Sequence, residues 1–369
     1  MFSVCSADTN YKFLLEKILK TSDEKLHAVL EGIEYAYEET EIPKKNGIRV
    51  IHMLRKTPEG RNLTNFQRNL VRRFLQKIPI AIPAKGFVTG ESYQNFLMPH
   101  AGNHYFLRID IKDFFDSFSE KLMMSNLKEF IQDREALETV FELCTLNAKL
   151  PQGAVTSPIL SNIFFRRIDQ RILKYCQSIE ERYRKENTRS EKQGIRRISY
   201  TRYADDMLFS SDFFDFGEQI YFLRMLSKIL KENGFEINRS KTMMCKGEIG
   251  LNGYVVGDGL RLSRRKLQSV KETLYFFRKQ DQELYEVDMR KAEDLKESLK
   301  KLNEMRRENN KEAREFRSRQ DFIHYLAGCR AWMISVLQTE QLLKKDSKRL
   351  EKTIQRLEEL LKAVEKEEG

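Results

Sequence analysis

Three aspartates are the residues of this chain best suited to chemistry: Asp110 and the adjacent pair Asp205 and Asp206. Neighbouring carboxylates repel, and gathering three raises their pKa values unless a cation neutralises them. Hard divalent cations prefer such oxygen ligands. Two Mg²⁺ ions about 4 Å apart activate a 3′-hydroxyl and stabilise a leaving pyrophosphate. Taken alone, Asp-Asp is also an ordinary turn dipeptide and Asp110 an ordinary strand residue, so the case rests on what surrounds them.

The surrounding pattern positions them. In Tyr105–Ile111, Leu107, Ile109 and Ile111 alternate with Phe106, Arg108 and Asp110. Period two predicts a strand with one apolar face and an open face presenting Asp110. Asp113–Phe118 reads as a helix start. Ile198–Arg202 and Met207–Ser210 read as two short strands meeting at Tyr203-Ala204-Asp205-Asp206, a hairpin turn. A helix over Glu218–Asn233 should end at Gly234. Strands follow at 235–239 and 250–262.

Upstream, residues 1–40 read as helices, Glu41–Met53 as two strands around a Lys44-Lys45-Asn46-Gly47 turn, Asn65–Lys77 as a helix, and 84–104 as irregular. Residues 120–175 are largely helical, interrupted at Leu150-Pro151-Gln152-Gly153. The polar stretch Ser178–Arg197 reads as a solvated, partly disordered hairpin or loop. Beyond Arg264 the sequence becomes long, charged and helix-favouring, which places a domain boundary near 262.

Composition sets the class. With 369 residues and 40% hydrophobic side chains the chain can build a sizeable core in two or three units. No run of about 18 apolar residues occurs, so no membrane helix is expected. The N-terminus lacks a basic segment followed by an apolar core, so secretion is not expected either. Five scattered cysteines form no CxxC pair, which suggests reduced thiols and a cytoplasmic protein. A net charge of +11 favours a polyanionic partner such as nucleic acid.

Three blocks sharpen that reading: Phe106-Leu107-Arg108-Ile109-Asp110-Ile111-Lys112-Asp113-Phe114-Phe115, then Leu150-Pro151-Gln152-Gly153-Ala154-Val155-Thr156-Ser157-Pro158, then Tyr200-Thr201-Arg202-Tyr203-Ala204-Asp205-Asp206. In order and spacing they resemble palm motifs A, B and C of bacterial reverse transcriptases, above all those of retrons. Gly234–Thr242 is similar to motif D. The resemblance spans roughly residues 43 to 266. It departs at Phe96-Leu97-Met98-Pro99-His100, which keeps the histidine of an Asn-Ala-x-x-His element but not its Asn-Ala. It departs again at Leu251-Asn252-Gly253, which keeps only the glycine of Val-Thr-Gly. A divergent retron enzyme and a related defence or abortive-infection reverse transcriptase both fit.

The resemblance implies an α/β (α+β) right-hand polymerase: N-terminal helices and fingers in 1–104, a ferredoxin-like antiparallel palm in 105–262 with part of the fingers in 120–175, and a helical thumb in 263–369. Asp110, Asp205 and Asp206 would be catalytic, with Ile111 joining them around two Mg²⁺ ions. Phe115 matches a steric gate that favours dNTPs. Gln152 and Gly153 match positions under the incoming nucleotide, where a glycine permits close backbone approach. Lys45 and Arg49 match positions that hold the triphosphate, and Lys241 a proton donor to pyrophosphate. As isolated basic residues, all three equally suit a solvated surface. His100 reads as a structural or RNA-contacting residue.

In the C-terminal region, Tyr325–Met333 resembles a retron thumb helix in which Gly328 permits close packing or approach to a backbone. Arg306, Arg307, Arg314, Arg317 and Arg330 are candidates for tracking a nucleic-acid backbone; a solvated charged helix is the plain alternative. Ser347–Glu367 has heptad-like apolar spacing over too short a span for a coiled coil, leaving a partner helix or thumb packing open. The implied function is RNA-directed DNA synthesis from a dedicated structured non-coding RNA, in antiphage defence, with dNTPs as substrates, a DNA product and a separate effector protein. The alternatives are a non-retron defence enzyme making repetitive or protein-primed DNA, and a catalytically silent RNA-binding scaffold.

Overall fold

The alternating segment Tyr105–Lys112 is the strand on which the fold is organised. The computed structural model describes residues 10–44, 47–186, 197–283, 292–309, 315–337 and 344–365. Two compact units emerge, Met1–Gly247 and Glu248–Gly369. The strands expected at 250–262 therefore fall in the second unit, which begins at Glu248 where the sequence reading placed the boundary near 262.

In the first unit, β1 (Tyr37–Lys44) and β2 (Gly47–Leu54) form an antiparallel hairpin that begins four residues before the expected strand. The helix after it spans Pro58–Arg73, not Asn65–Lys77, because Thr57 caps Gly60 N–H and Pro58 occupies the first turn. Segment 84–104 is not wholly irregular: Tyr93–Leu97 is a short helix capped by Ser92.

The main sheet joins β3 (Tyr105–Lys112), β4 (Ser199–Tyr203), β5 (Asp206–Ser211), β6 (Glu236–Ile237) and β7 (Met243–Lys246). Its order is β4-β5-β3-β6, with β7 also on β3, and every pairing is antiparallel. Directly opposed residues of an antiparallel pair share a face. Thus Leu107, Ile109, Met207 and Phe209 lie together on one face, toward the helices. Phe209 stacks on Tyr200 and meets Phe222 of helix Ile220–Lys231 edge-on. That helix ends as expected, with Gly234 at φ +85° and Phe235 N–H returning to the Leu230 carbonyl.

Two expectations fail for local reasons. Asp113 has φ +44°, so Asp113–Ser117 makes turns where a helix start was read. Ser178–Glu186 continues the long helix Ser157–Glu186, because Ile179 buries against the core; residues 187–196 of the same stretch lie outside the described residues. Phe114 and Phe118 of the turn pack against Phe164, Phe165 and Phe235, tying turn, long helix and sheet into one aromatic core.

The second unit contains a three-stranded antiparallel sheet, β8 (Ile249–Leu251), β9 (Tyr254–Val256) and β10 (Leu260–Leu262). Helices Arg264–Glu283, Ala292–Asn309, Arg319–Leu337 and Lys344–Glu365 follow. Leu350, Ile354, Leu357 and Val364 of the last are buried, and it packs along Arg319–Leu337 within the same unit. Its heptad-like spacing thus serves intramolecular packing. No helix among the described residues is long and apolar enough to cross a membrane.

Candidate active site

Strand register assembles the aspartates. Asp110 lies opposite Asp206, and Arg108 two residues back on the same face. The β4–β5 hairpin closes through Ala204 and Asp205, and the Ile111 N–H donates to the Asp205 carbonyl at 3.0 Å. Ala204 has φ +56°, a backbone normally left to glycine. Two buried contacts oppose that strain: Arg202 Nη1 donates to the Ala204 carbonyl at 3.2 Å, and its Nε and Nη2 hold Asp169 of the long helix.

Asp110 does not sit on an open face as the alternation suggested; it is 4% exposed. Asn238 Nδ2 donates to its Oδ1 at 3.0 Å, and Lys241 Nζ to both oxygens at 3.1 and 2.9 Å. The Asn238 N–H also donates to the Asp110 carbonyl at 2.8 Å. Arg108 grips Asp206 in a fork, with donor distances of 2.9, 2.7 and 2.9 Å. Burial pushes the Asp205 carboxyl above its ordinary range, and the charges of Asp206 and Asp110 push it further. Asp206 is also raised, by burial and by Asp110, against the opposing pull of Arg108.

This arrangement suits a divalent cation. The donors are hard oxygens, and three carboxylates face only two fixed cations, Arg108 and Lys241. Burial raises the Asp205 and Asp206 carboxyls first, and their mutual crowding with Asp110 adds to it. Among the described residues no group of three His, Cys, Asp or Glu side chains stands ready around one point; Lys241 and Arg108 engage two of the three carboxylates instead. Ile111 has only its main-chain oxygen to offer a metal.

Motif B meets the hairpin. Gly153 N–H donates to the His52 carbonyl at 3.0 Å, and a Cβ at Gly153 would lie 2.3 Å from that oxygen. The backbone that Gly153 approaches closely in this structure is that of β2. Gln152 lines a cleft with Val50, His52, Asp116 and Asn147, which draws the β2 hairpin, the turn after Asp110 and motif B together. Behind it, buried Gln67 donates to Tyr37 Oη and the Leu143 carbonyl and accepts from Val155 N–H. Arg49 sits on β2 opposite Ile42, while Lys45 lies outside the described residues. Phe115 is half-buried against Phe114, ring centroids 5.5 Å apart.

His100 is fully buried, so it does not contact RNA. Its ring nitrogens bond Ser210 Oγ and Thr201 Oγ1, each at 2.7 Å, joining β4 to β5 on the face that carries Asp110. Burial lowers its pKa to about 3, which keeps the ring neutral. Reasoning from sequence alone passed over Arg108, Asp169, Arg202, Gln67 and Asn238. For Arg108 the period-two alternation was an available signal; a buried Arg202 leaves none.

Residues 42–282 match the family described as Reverse transcriptase (RNA-dependent DNA polymerase). The chain belongs to this reverse transcriptase family. Its mixed helices and antiparallel sheet are those of a right-hand polymerase. It is 28% identical over 271 residues to the retron Mx65 reverse transcriptase of Myxococcus xanthus, covering 68% of this chain and 58% of that one. It is 24% identical over 264 residues to the retron Ec86 reverse transcriptase of Escherichia coli, covering 71% and 76%. A telomerase from Candida albicans, in complex with a fragment of telomeric RNA, superposes with TM-score 0.43 at 13% identity, over 89% of this chain and 65% of that one.

In the second unit of this chain the candidate nucleic-acid contacts differ in kind. Arg306 is buried, stacked over Phe316 and Tyr325 at 4.7 and 5.3 Å from their ring centroids; it packs the unit and is not a surface cation. Arg307 pairs with Glu315 at 2.7 Å and Arg330 with Glu358 at 2.6 Å, and both remain solvent-accessible. Arg317 is exposed, and Arg314 lies outside the described residues. A Cβ at Gly328 would meet nothing within 4 Å, so this glycine serves no close packing among the described residues.

Proposed function

We propose that this chain is a retron-type RNA-directed DNA polymerase that copies a structured RNA into DNA from dNTPs. The observation that carries the reading is the register that sets Asp110 opposite Asp206, with Asp205 at the adjoining turn, in a chain of the reverse transcriptase family. Asp110, Asp205 and Asp206 would hold Mg²⁺, with the Ile111 main-chain oxygen as a further donor. When bound, the ions supply a lowered pKa for the attacking 3′-hydroxyl and neutralisation of the leaving pyrophosphate.

The chain's own residues do the rest. Arg108 and Lys241 hold the carboxylates in place by charge-assisted bonds. Lys241 donates to both oxygens of Asp110, so with a metal held by that carboxylate its ammonium would stand beside the site as a proton donor for the departing phosphates. Phe115 sets its ring against the sugar, and Gln152 faces the incoming nucleotide from the cleft it lines. Arg49 of β2, together with Lys45, meets the triphosphate. Arg307, Arg317 and Arg330 meet the nucleic-acid backbone, and kinship with retron enzymes extends the proposal to antiphage defence alongside a separate effector.

The test is to purify the protein from its native locus and sequence the nucleic acids that travel with it. A short DNA joined to a structured RNA is expected, and its absence from an Asp205→Asn/Asp206→Asn preparation. Long or repetitive DNA lacking that junction would overturn the retron reading, and RNA with no DNA would overturn the polymerase.

A further inference from the structure

Phe87 is exposed, bulky and left-handed. Its φ is +61° and its relative exposure 43%. A β-carbon in this region crowds the following carbonyl, so a non-glycine residue stays there only when its surroundings impose it. Here they do. Arg202 N–H donates to the Pro83 carbonyl at 2.8 Å, and Lys85 N–H to the Arg202 carbonyl at 2.8 Å. Asn162 Nδ2 donates to the Gly86 carbonyl at 2.8 Å. Gly86 lies so close to the hairpin that a Cβ would stand 2.8 Å from Ala204 N. Lys85 pairs with Glu91 at 2.7 Å beyond the bend.

This clamped segment delivers one ring to one place. The Phe87 centroid lies 6.3 Å from that of Phe115 and 6.3 Å from that of Tyr203. Phe115 stands on a turn, without a regular element to fix its direction, and has Phe114 on its other side. Tyr203 ends β4 and leads into the turn that carries Asp205. An exposed ring that touches both links the sugar-facing side chain to the catalytic hairpin.

We propose that Phe87 is a positioning residue for nucleotide-sugar selection: it backs Phe115 so that the gate ring cannot yield to a ribose 2′-hydroxyl. The inference rests on the reading of Phe115 as that gate. Its specificity arises mechanically. A gate excludes a hydroxyl only if it cannot move aside, and interiors resist such movement only when the ring is packed from behind. The left-handed backbone is what aims the Phe87 ring at Phe115 while its segment stays bound to β4.

The experiment compares kcat/KM for dGTP and GTP on a poly(rC) template with an oligo(dG) primer, using the full chain with Mg²⁺. Phe87→Gly removes the ring and suits the local φ, so the variant is expected to fold. It should lower the dGTP/GTP ratio about tenfold, chiefly by admitting GTP, while Phe87→Tyr should keep the wild-type ratio. Phe115→Val is the control for the underlying reading and should lower the ratio at least as far. If Phe115→Val shifts the ratio and Phe87→Gly does not, the role of Phe87 is overturned while the gate stands. Equal losses for both nucleotides in Phe87→Gly would reduce it to a structural residue and overturn the proposal as well. An unchanged ratio in Phe115→Val would overturn the gate and the inference together.

Discussion

Arg202 and Asp169 form an ion pair with both side chains wholly buried, Nη2 to Oδ2 at 2.8 Å, and the same guanidinium reaches the Ala204 carbonyl inside the hairpin that carries Asp205. Phe165 lies under the guanidinium at 4.5 Å, and Tyr200 Oη donates to Asp169 at 2.6 Å. The long helix after motif B is thereby tied to the turn of motif C through one planar group. Lysine cannot replace it, because a single ammonium lacks the fork that serves carboxylate and carbonyl together.

Removing one partner leaves the other charged and unpaired. Asp169→Ala should therefore destabilise the first unit by about 3–5 kcal/mol, and Arg202→Lys should recover little of an Arg202→Ala loss. Urea denaturation followed by tryptophan-independent far-UV circular dichroism measures both. A cost under about 1 kcal/mol would mean that water reaches the pair and the burial argument is wrong.

Gly153 supports a prediction about docking. Because an added Cβ would strike the His52 carbonyl and the Met53 Cα at 2.3 and 2.7 Å, β2 must retreat in Gly153→Ala. Overpacking of this kind costs about 1–3 kcal/mol. The variant should lose stability and raise the KM for dNTPs, since the cleft around Gln152 shares that strand. Unaltered hydrogen exchange of the β1–β2 amides in the variant would show that the contact matters less than its geometry suggests.

Asp205 supplies a prediction in which stability and activity move in opposite directions. Its carboxyl is raised by burial and by Asp206 and Asp110, so at neutral pH the fold disfavours its ionised form. A raised acid adds stability only where it is protonated, at low pH, and withdraws it as pH climbs through its titration. Asp205→Asn should thus raise the melting temperature of the metal-free protein at pH 7 and cut DNA synthesis by about 10³-fold or more. Saturating Mg²⁺ should narrow the gap by stabilising the wild type alone. Equal melting temperatures for the two metal-free proteins at pH 7 would contradict the crowding of charge described above.

How much of this was legible beforehand depended on range. The strand Tyr105–Lys112, the hairpin turn at Ala204–Asp205 and the stop at Gly234 follow from period and turn chemistry, which are local. Asp110 was found, but its burial was not, because Asn238 and Lys241 cover it from 128 and 131 residues away. Arg202 looked like one more cation among many until Asp169 came across from the long helix. β7 was missed because Met243–Lys246 is short and only one of its residues is better than exposed. The Asp113 turn defeated helix reading for a backbone reason, a left-handed residue where aspartate ordinarily caps.

His100 gives the pH dependence. Its ring bridges Thr201 and Ser210 and burial holds its pKa at about 3, against 6.5 for a free histidine. Between those values the unfolded chain takes up a proton that the folded chain refuses. The native state thus loses stability as pH falls from 6.5 toward 3, by up to about 1.4 kcal/mol per pH unit, and is indifferent to this group above 6.5. His100→Gln keeps a donor and an acceptor but cannot titrate. Between pH 7.5 and 5.5 the wild type should lose about 1.4 kcal/mol more than His100→Gln in urea denaturation. Parallel pH profiles for the two proteins would mean that the ring is protonated in the folded state, and the neutral bridge between β4 and β5 would have to be abandoned.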